Sequence, residues 1–122
     1  MKSFILVFIG GGLGSGLRYL ISNAMSQYSK TLPHGTFTVN ILGCLLIGII
    51  LGYAQKENAL SSNQTLLLAT GFCGGFTTFS AFANENLELI KNGGIFNFSV
   101  YTIGSILIGI LAVLIGYYVV GK

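Results

Sequence analysis

Residues Asn58–Asn84 read NALSSNQTLLLATGFCGGFTTFSAFAN, 27 residues without a charged side chain. A helix needs about 20 apolar residues to cross the hydrocarbon core of a bilayer, so this run is long enough to span one. Its middle, Gly71-Phe72-Cys73-Gly74-Gly75-Phe76-Thr77-Thr78-Phe79-Ser80, is poor helix. Paired glycines carry a large entropy cost there, and β-branched threonines crowd the preceding turn. Backbone that leaves a helix inside a bilayer survives only where it is buried in protein, lines water or coordinates an ion. The stretch therefore predicts a membrane span broken at its middle, at a site with a function. The same string also suits a glycine packing contact within an intact helix.

The rest of the chain is of the same kind. Thr31–Gln55 runs 25 residues and Asn92–Gly121 runs 30 without Lys, Arg, Asp or Glu. A further run from Phe4 to Ala24 is interrupted only by Arg18. Charged residues make up 7% of the chain, against about 25% in a soluble domain, and mean hydropathy is +0.79. A soluble domain this small could not cover its surface with so little charge. The expectation is an all-α integral membrane protein, a single transmembrane domain over residues 1–122 with four spans near 4–24, 37–54, 64–90 and 97–121. Lys2 and the apolar run after it have the form of a cleaved leader, but Arg18-Tyr19 and the dense glycines fit a retained span better. Cys44 and Cys73 lie within spans without CxxC spacing, and His34 stands beside Pro33 away from other ligands. Small apolar fillers are the expected role of the cysteines.

Four spans put both termini on one side. That side carries Lys2, Lys56 and Lys122, and the other carries Arg18, Lys30 and Lys91, a count of 3 against 3. An excess of Lys and Arg in cytoplasmic loops normally sets orientation. Its absence predicts insertion both ways, and with it an antiparallel, dual-topology homodimer, a two-chain version of the inverted repeats of transporters. The alternative is a weakly biased chain that still inserts one way. Small residues four apart, Gly10 with Gly14, Gly12 with Gly16, Gly48 with Gly52, and the stripe Ser105, Gly109, Ala112, Gly116, suit close helix packing.

Three features carry chemistry. The first is the glycine–threonine string. The second is Asn40, which shares a helix face with Thr36 and Gly43; an unpaired amide there would cost several kcal/mol, and helix-to-helix bonding is its plainer use. The third is Phe79 and Phe82, three apart, whose positive ring edges can favour an anion, although such pairs also serve as ordinary core or lipid-facing residues. The three acidic residues are Glu57, Glu85 and Glu88, in a loop and near the end of the third span. Cation transport and proton coupling usually need a carboxylate deep in a span. Arg18, Asn40, the hydroxyls and the ring edges together favour an anion.

On these residues the chain resembles the small bacterial fluoride channels (Fluc, also called CrcB) over nearly its full length. The matching motifs are Gly11-Gly12-Leu13-Gly14 with Arg18-Tyr19, Gly35-Thr36-Phe37-Thr38-Val39-Asn40 with Gly43, and Gly71 to Ser80 with Phe82. The resemblance implies passive fluoride export across the bacterial plasma (inner) membrane, conferring fluoride resistance, through two pores of an antiparallel dimer. It implies a structural sodium ion at the dimer centre, held by the main-chain carbonyls of Gly74 and Thr77. It assigns Asn40, Phe79, Phe82, Ser80, Tyr101 and Ser105 to the fluoride pathway and Arg18 to a vestibule. The expected partners are fluoride, the lipid bilayer and a second copy of the chain, with no nucleic acid and no enzymatic reaction. The family usually reads Phe-Ser-Thr-Phe where this chain has Phe79-Ser80-Ala81-Phe82, one hydroxyl fewer in the lining. The competing reading is a small multidrug exporter of four helices, which would carry a carboxylate in its first span; the first span here has none. A structural or assembly protein is a third reading, and it leaves the string in the third span without a purpose.

Overall fold

A computed structural model describes residues 1–25, 32–56 and 59–120. Among them there is no strand. Helix α1 covers Lys2–Met25 and α2 covers His34–Gln55. The third membrane-length segment, Ser62–Lys91, is assembled from α3 (Ser62–Thr65), a π-helical stretch π1 (Leu66–Cys73), α4 (Gly74–Phe76) and α5 (Phe79–Lys91). Helix α6 covers Ile95–Val120. Four helical segments are thus long and apolar enough to cross a membrane. Each begins slightly before its expected start, because polar residues at helix ends still join the hydrogen-bond ladder. Lys30 and Lys122 of the charge count, and the end of the fourth span at 121, lie outside the described residues.

Local chemistry sets the ends of the third segment. Ser61 begins α3 with a capping box: its Oγ accepts from Gln64 N–H at 3.1 Å, and its own N–H donates to Gln64 Oε1 at 3.0 Å. Two orphan donors of the first turn are satisfied by that exchange. At the other end Gly93 takes a φ of 76°, the left-handed conformation that glycine adopts without penalty. The Gly94 N–H then reaches back to the Leu89 carbonyl at 2.8 Å and the Gly93 N–H to that of Ile90 at 3.0 Å. The chain reverses within three residues and enters α6.

Burial is sparse, as expected of a chain whose solvent is lipid. The buried hydrophobic residues are Val39, Ala69, Cys73, Phe76, Phe82, Tyr101 and Ala112, while Phe8, Leu20, Leu107, Ile110 and many others stand outward. Glycines rather than large side chains make the helix contacts. A Cβ on Gly10 would meet the Leu67 carbonyl, and one on Gly14 would meet that of Phe72. Helix α1 thereby lies backbone to backbone against π1 and α4, and α2 lies in the same way along α6. Lipid supplies no hydrophobic drive for association, so close approach and van der Waals contact take its place.

Candidate functional site

The backbone leaves the helix at Thr77 and Thr78. Thr77 has φ −85° and ψ 160°, and Thr78 has φ −148° and ψ 120°, both extended. Extended backbone in the middle of an apolar segment exposes peptide groups that need partners. Asn40, on α2, provides two of them. Its Nδ2 donates to the Thr78 carbonyl at 3.1 Å and its Oδ1 accepts from the Thr78 N–H at 2.8 Å. The carboxamide pairs with the peptide as a neighbouring strand would. The Thr78 hydroxyl caps the next helix, accepting from the Ala81 N–H at 3.2 Å and lying 3.4 Å from Ser80 Oγ. Thr77 folds back, its N–H and its Oγ1 both donating to the Cys73 carbonyl at 3.0 Å. From α1, Arg18 Nε donates to the Gly75 carbonyl at 3.1 Å and Ser15 Oγ to the same oxygen at 3.4 Å.

Among the groove's lining residues, two carbonyls lose their helical donors to side chains. In a continued helix Gly74 would accept from the Thr78 N–H and Thr77 from the Ala81 N–H. The first donor is held by Asn40 and the second by the Thr78 hydroxyl. Gly74 and Thr77 therefore keep neutral oxygens free of their helical partners, and both residues line one groove of about 570 Å³. Main-chain oxygens of this kind suit a hard, oxygen-seeking cation. No cluster of three or more His, Cys, Asp or Glu is found among the described residues.

The groove also gathers Asn40, Phe79, Phe82 and Ser105. Phe79 is 79% exposed and Phe82 only 9%; their ring centroids are 5.8 Å apart with planes at 47°. Phe82 in turn meets Tyr101 at 5.1 Å. The Ser105 hydroxyl is buried and has no hydrogen-bond partner among the described residues. Ser80, Tyr101 and Arg18 are not among the groove's lining. Ser80 sits beside Thr78, Arg18 reaches the break from the α1 side, and Tyr101 lies behind Phe82.

Tyr101 has a partner that sequence reasoning did not supply. Its hydroxyl donates to Glu85 Oε1 at 2.9 Å, while Thr36 Oγ1 donates to Glu85 Oε2 at 2.6 Å. Glu85 is half-buried and joins α2, α5 and α6 through one carboxylate. Beside it the buried Asn86 accepts from Thr102 Oγ1 at 3.0 Å. The signal was present: Glu85 lies three residues beyond Phe82, on the same helix face. It lies near the end of the third segment, as its place in the sequence implies, and within the first two turns of α5, which starts at Phe79.

Comparison with known proteins fits this geometry. Residues 5–117 match the family model described as CrcB-like protein, Camphor Resistance (CrcB). A Phocaeicola vulgatus protein named fluoride-specific ion channel FluC is 47% identical over 97% of this chain and 98% of its own length. A Bacteroides fragilis protein of the same name is 50% identical, covering 97% of this chain and 95% of the relative. One from Gloeothece citriformis is 46% identical over 100% and 99%. The relatives are named as channels, which are transporters and not enzymes. With four membrane-length helices and bacterial relatives along its whole length, the chain is a multi-pass bacterial membrane protein, and it belongs to the CrcB family.

Proposed function

We propose that this chain is a fluoride-selective channel that lets fluoride leave the cytoplasm down its gradient, working as an antiparallel homodimer in the plasma membrane with two pores. The observation that carries the proposal is the convergence of Asn40, Phe79, Phe82 and Ser105 on one groove beside extended backbone. Relatives that share about half of its residues over their whole length are named for this ion.

The physical problem is dehydration. Fluoride is small and holds water strongly, and burying it unpaired is prohibitive. Asn40 uses one Nδ2 hydrogen on Thr78 and keeps the other. Ser105 has an unclaimed hydroxyl. Ring edges of Phe79 and Phe82 add positive potential with no proton to exchange. Tyr101 can serve an anion only if its O–H turns from Glu85, so fluoride there competes with a carboxylate for one hydrogen. Chloride is larger and a poorer acceptor, and a narrow route with few, directed donors disfavours it.

Phe79, in the groove's lining, stands exposed, which supports a second copy as its cover. The equal charge count supports the copies lying in opposite orientations. The carbonyls of Gly74 and Thr77 fit a sodium ion shared between the copies. A bound sodium would supply the positive charge that offsets converging carbonyl dipoles at the break.

The deciding experiment uses purified protein in proteoliposomes loaded with fluoride or chloride. Potassium loss is permitted by an ionophore and efflux is followed with ion-selective electrodes. Rapid fluoride loss with chloride retained is expected; equal loss of both, or of neither, rejects the channel reading.

A further inference from the structure

The extended residues Thr77 and Thr78 are held from two sides by different means. Asn40 on α2 holds the Thr78 peptide through both of its polar groups. On the α1 side, the Gly75 carbonyl receives Arg18 Nε at 3.1 Å and Ser15 Oγ at 3.4 Å. The Thr77 carbonyl belongs to the same peptide unit as the Thr78 N–H that Asn40 holds, and the Gly74 carbonyl belongs to the unit just before that of the Gly75 carbonyl. Peptide planes are rigid, and only two soft dihedrals per residue separate one from the next. Fixing the Gly75 carbonyl therefore limits where the Gly74 oxygen can point.

Helix α1 is built to make this contact. Gly11, Ser15 and Arg18 follow one another at four and three residues, on one helix face. A Cβ on Gly75 would meet the Gly11 carbonyl, so the two backbones touch there. Side chains on a helix lean toward its N-terminus, and Arg18 leans back along α1 onto the Gly75 oxygen. Its guanidinium spends the Nε hydrogen on that oxygen and keeps its two terminal amino groups for other partners.

We propose that Arg18, assisted by Ser15, is a positioning residue for the carbonyl cation site, setting the direction of the Gly74 oxygen through the Gly75 peptide. This goes beyond a role as positive charge at a vestibule, and it rests on the sodium reading given above. A charge alone would act at any nearby position; the Nε bond acts only at this oxygen. Arg18→Lys separates the two, because it retains the charge and loses the planar Nε–H.

The test measures the melting temperature of purified protein in detergent against sodium concentration, with N-methylglucamine as the replacement cation, and fluoride efflux in parallel. For the parent protein, stability rises with sodium. In Arg18→Lys the sodium midpoint rises roughly tenfold, the size expected for loss of a hydrogen bond from a charged donor, and flux recovers at saturating sodium. Ser15→Ala moves the midpoint the same way by a smaller factor. It also decides the matter if Arg18→Lys does not fold. Unchanged midpoints with reduced flux would reduce Arg18 to a vestibule charge and overturn the proposal. A parent protein indifferent to sodium would instead reject the cation site itself, and the positioning role with it.

Discussion

Helices α2 and α6 meet along a seam with almost no polar chemistry. A Cβ on Gly48 would meet the Val113 carbonyl, one on Gly52 the Tyr117 carbonyl at 2.6 Å, and one on Gly116 the Leu45 carbonyl at 2.5 Å. The contacts around Thr77 and Thr78 are the opposite. Asn40, Ser15, Arg18 and the hydroxyls of Thr77 and Thr78 all spend side-chain groups on main-chain atoms. Both regions solve the same problem, how to satisfy an apolar solvent. Where the backbone stays helical its own ladder satisfies it, and small residues need only let helices approach. Where it turns extended, side chains must take over the ladder's work. Side chains that bond to main-chain atoms gather at the irregular backbone, whereas Thr36, Glu85, Tyr101, Asn86 and Thr102 bond side chain to side chain between regular helices.

The contrast breaks most sharply at Asn40. Asn40→Asp replaces the Nδ2 donor to the Thr78 carbonyl with an oxygen that repels it, and adds a charge that repels an anion. Fluoride efflux in proteoliposomes is expected to fall by about 100-fold or more, the equivalent of about 3 kcal/mol from the one lost donor together with the added repulsion. Near-normal flux in a folded protein would remove Asn40 from the route. At the seam, Gly48→Ala forces a methyl group onto the Val113 carbonyl. It should lower unfolding stability by about 1–3 kcal/mol, as overpacking does, while flux per folded protein stays the same. A flux change without a stability change would mean that the seam is not merely structural.

Smaller effects sharpen the picture. Phe82→Ile and Phe79→Ile keep bulk but remove the ring edge, and each should reduce fluoride efflux by up to about tenfold. Leu66→Ile, at the start of π1 and away from the groove, is the control and should leave efflux near normal. The weakest effect is a coupling. Glu85→Gln and Tyr101→Phe share one hydrogen bond at 2.9 Å, so their combined effect on efflux should depart from the sum by about 1 kcal/mol. Strict additivity would mean that Glu85 and Tyr101 act separately.

Much of this was legible beforehand. Charge-free runs bounded by Lys56, Lys91 and the glycine-rich turns marked four helices, because hydropathy alone selects what can sit in lipid. Asn40 stood out because a buried amide must be paired, and the string Gly71 to Ser80 stood out because its glycines and threonines are poor helix formers; the glycines nevertheless stay helical and only Thr77 and Thr78 are extended. The partners were not legible. Nothing in the order of residues says that Asn40 meets Thr78, that Arg18 reaches Gly75, or that Thr36 and Tyr101 share Glu85. Those pairs join residues on different helices, and their meeting depends on rotation and depth of each helix against its neighbours.

Composition and period alone thus determined the solvent of this protein, its helical class and the residues that would be costly to leave unpaired. Those are one-body properties, each a matter of a side chain and its medium. The tertiary structure decided which peptide each polar group serves, and that Thr36 and Tyr101 meet on the one carboxylate of Glu85. Those are properties of pairs, set when glycine faces bring backbones into contact and leave one arrangement in which the extended residues find partners.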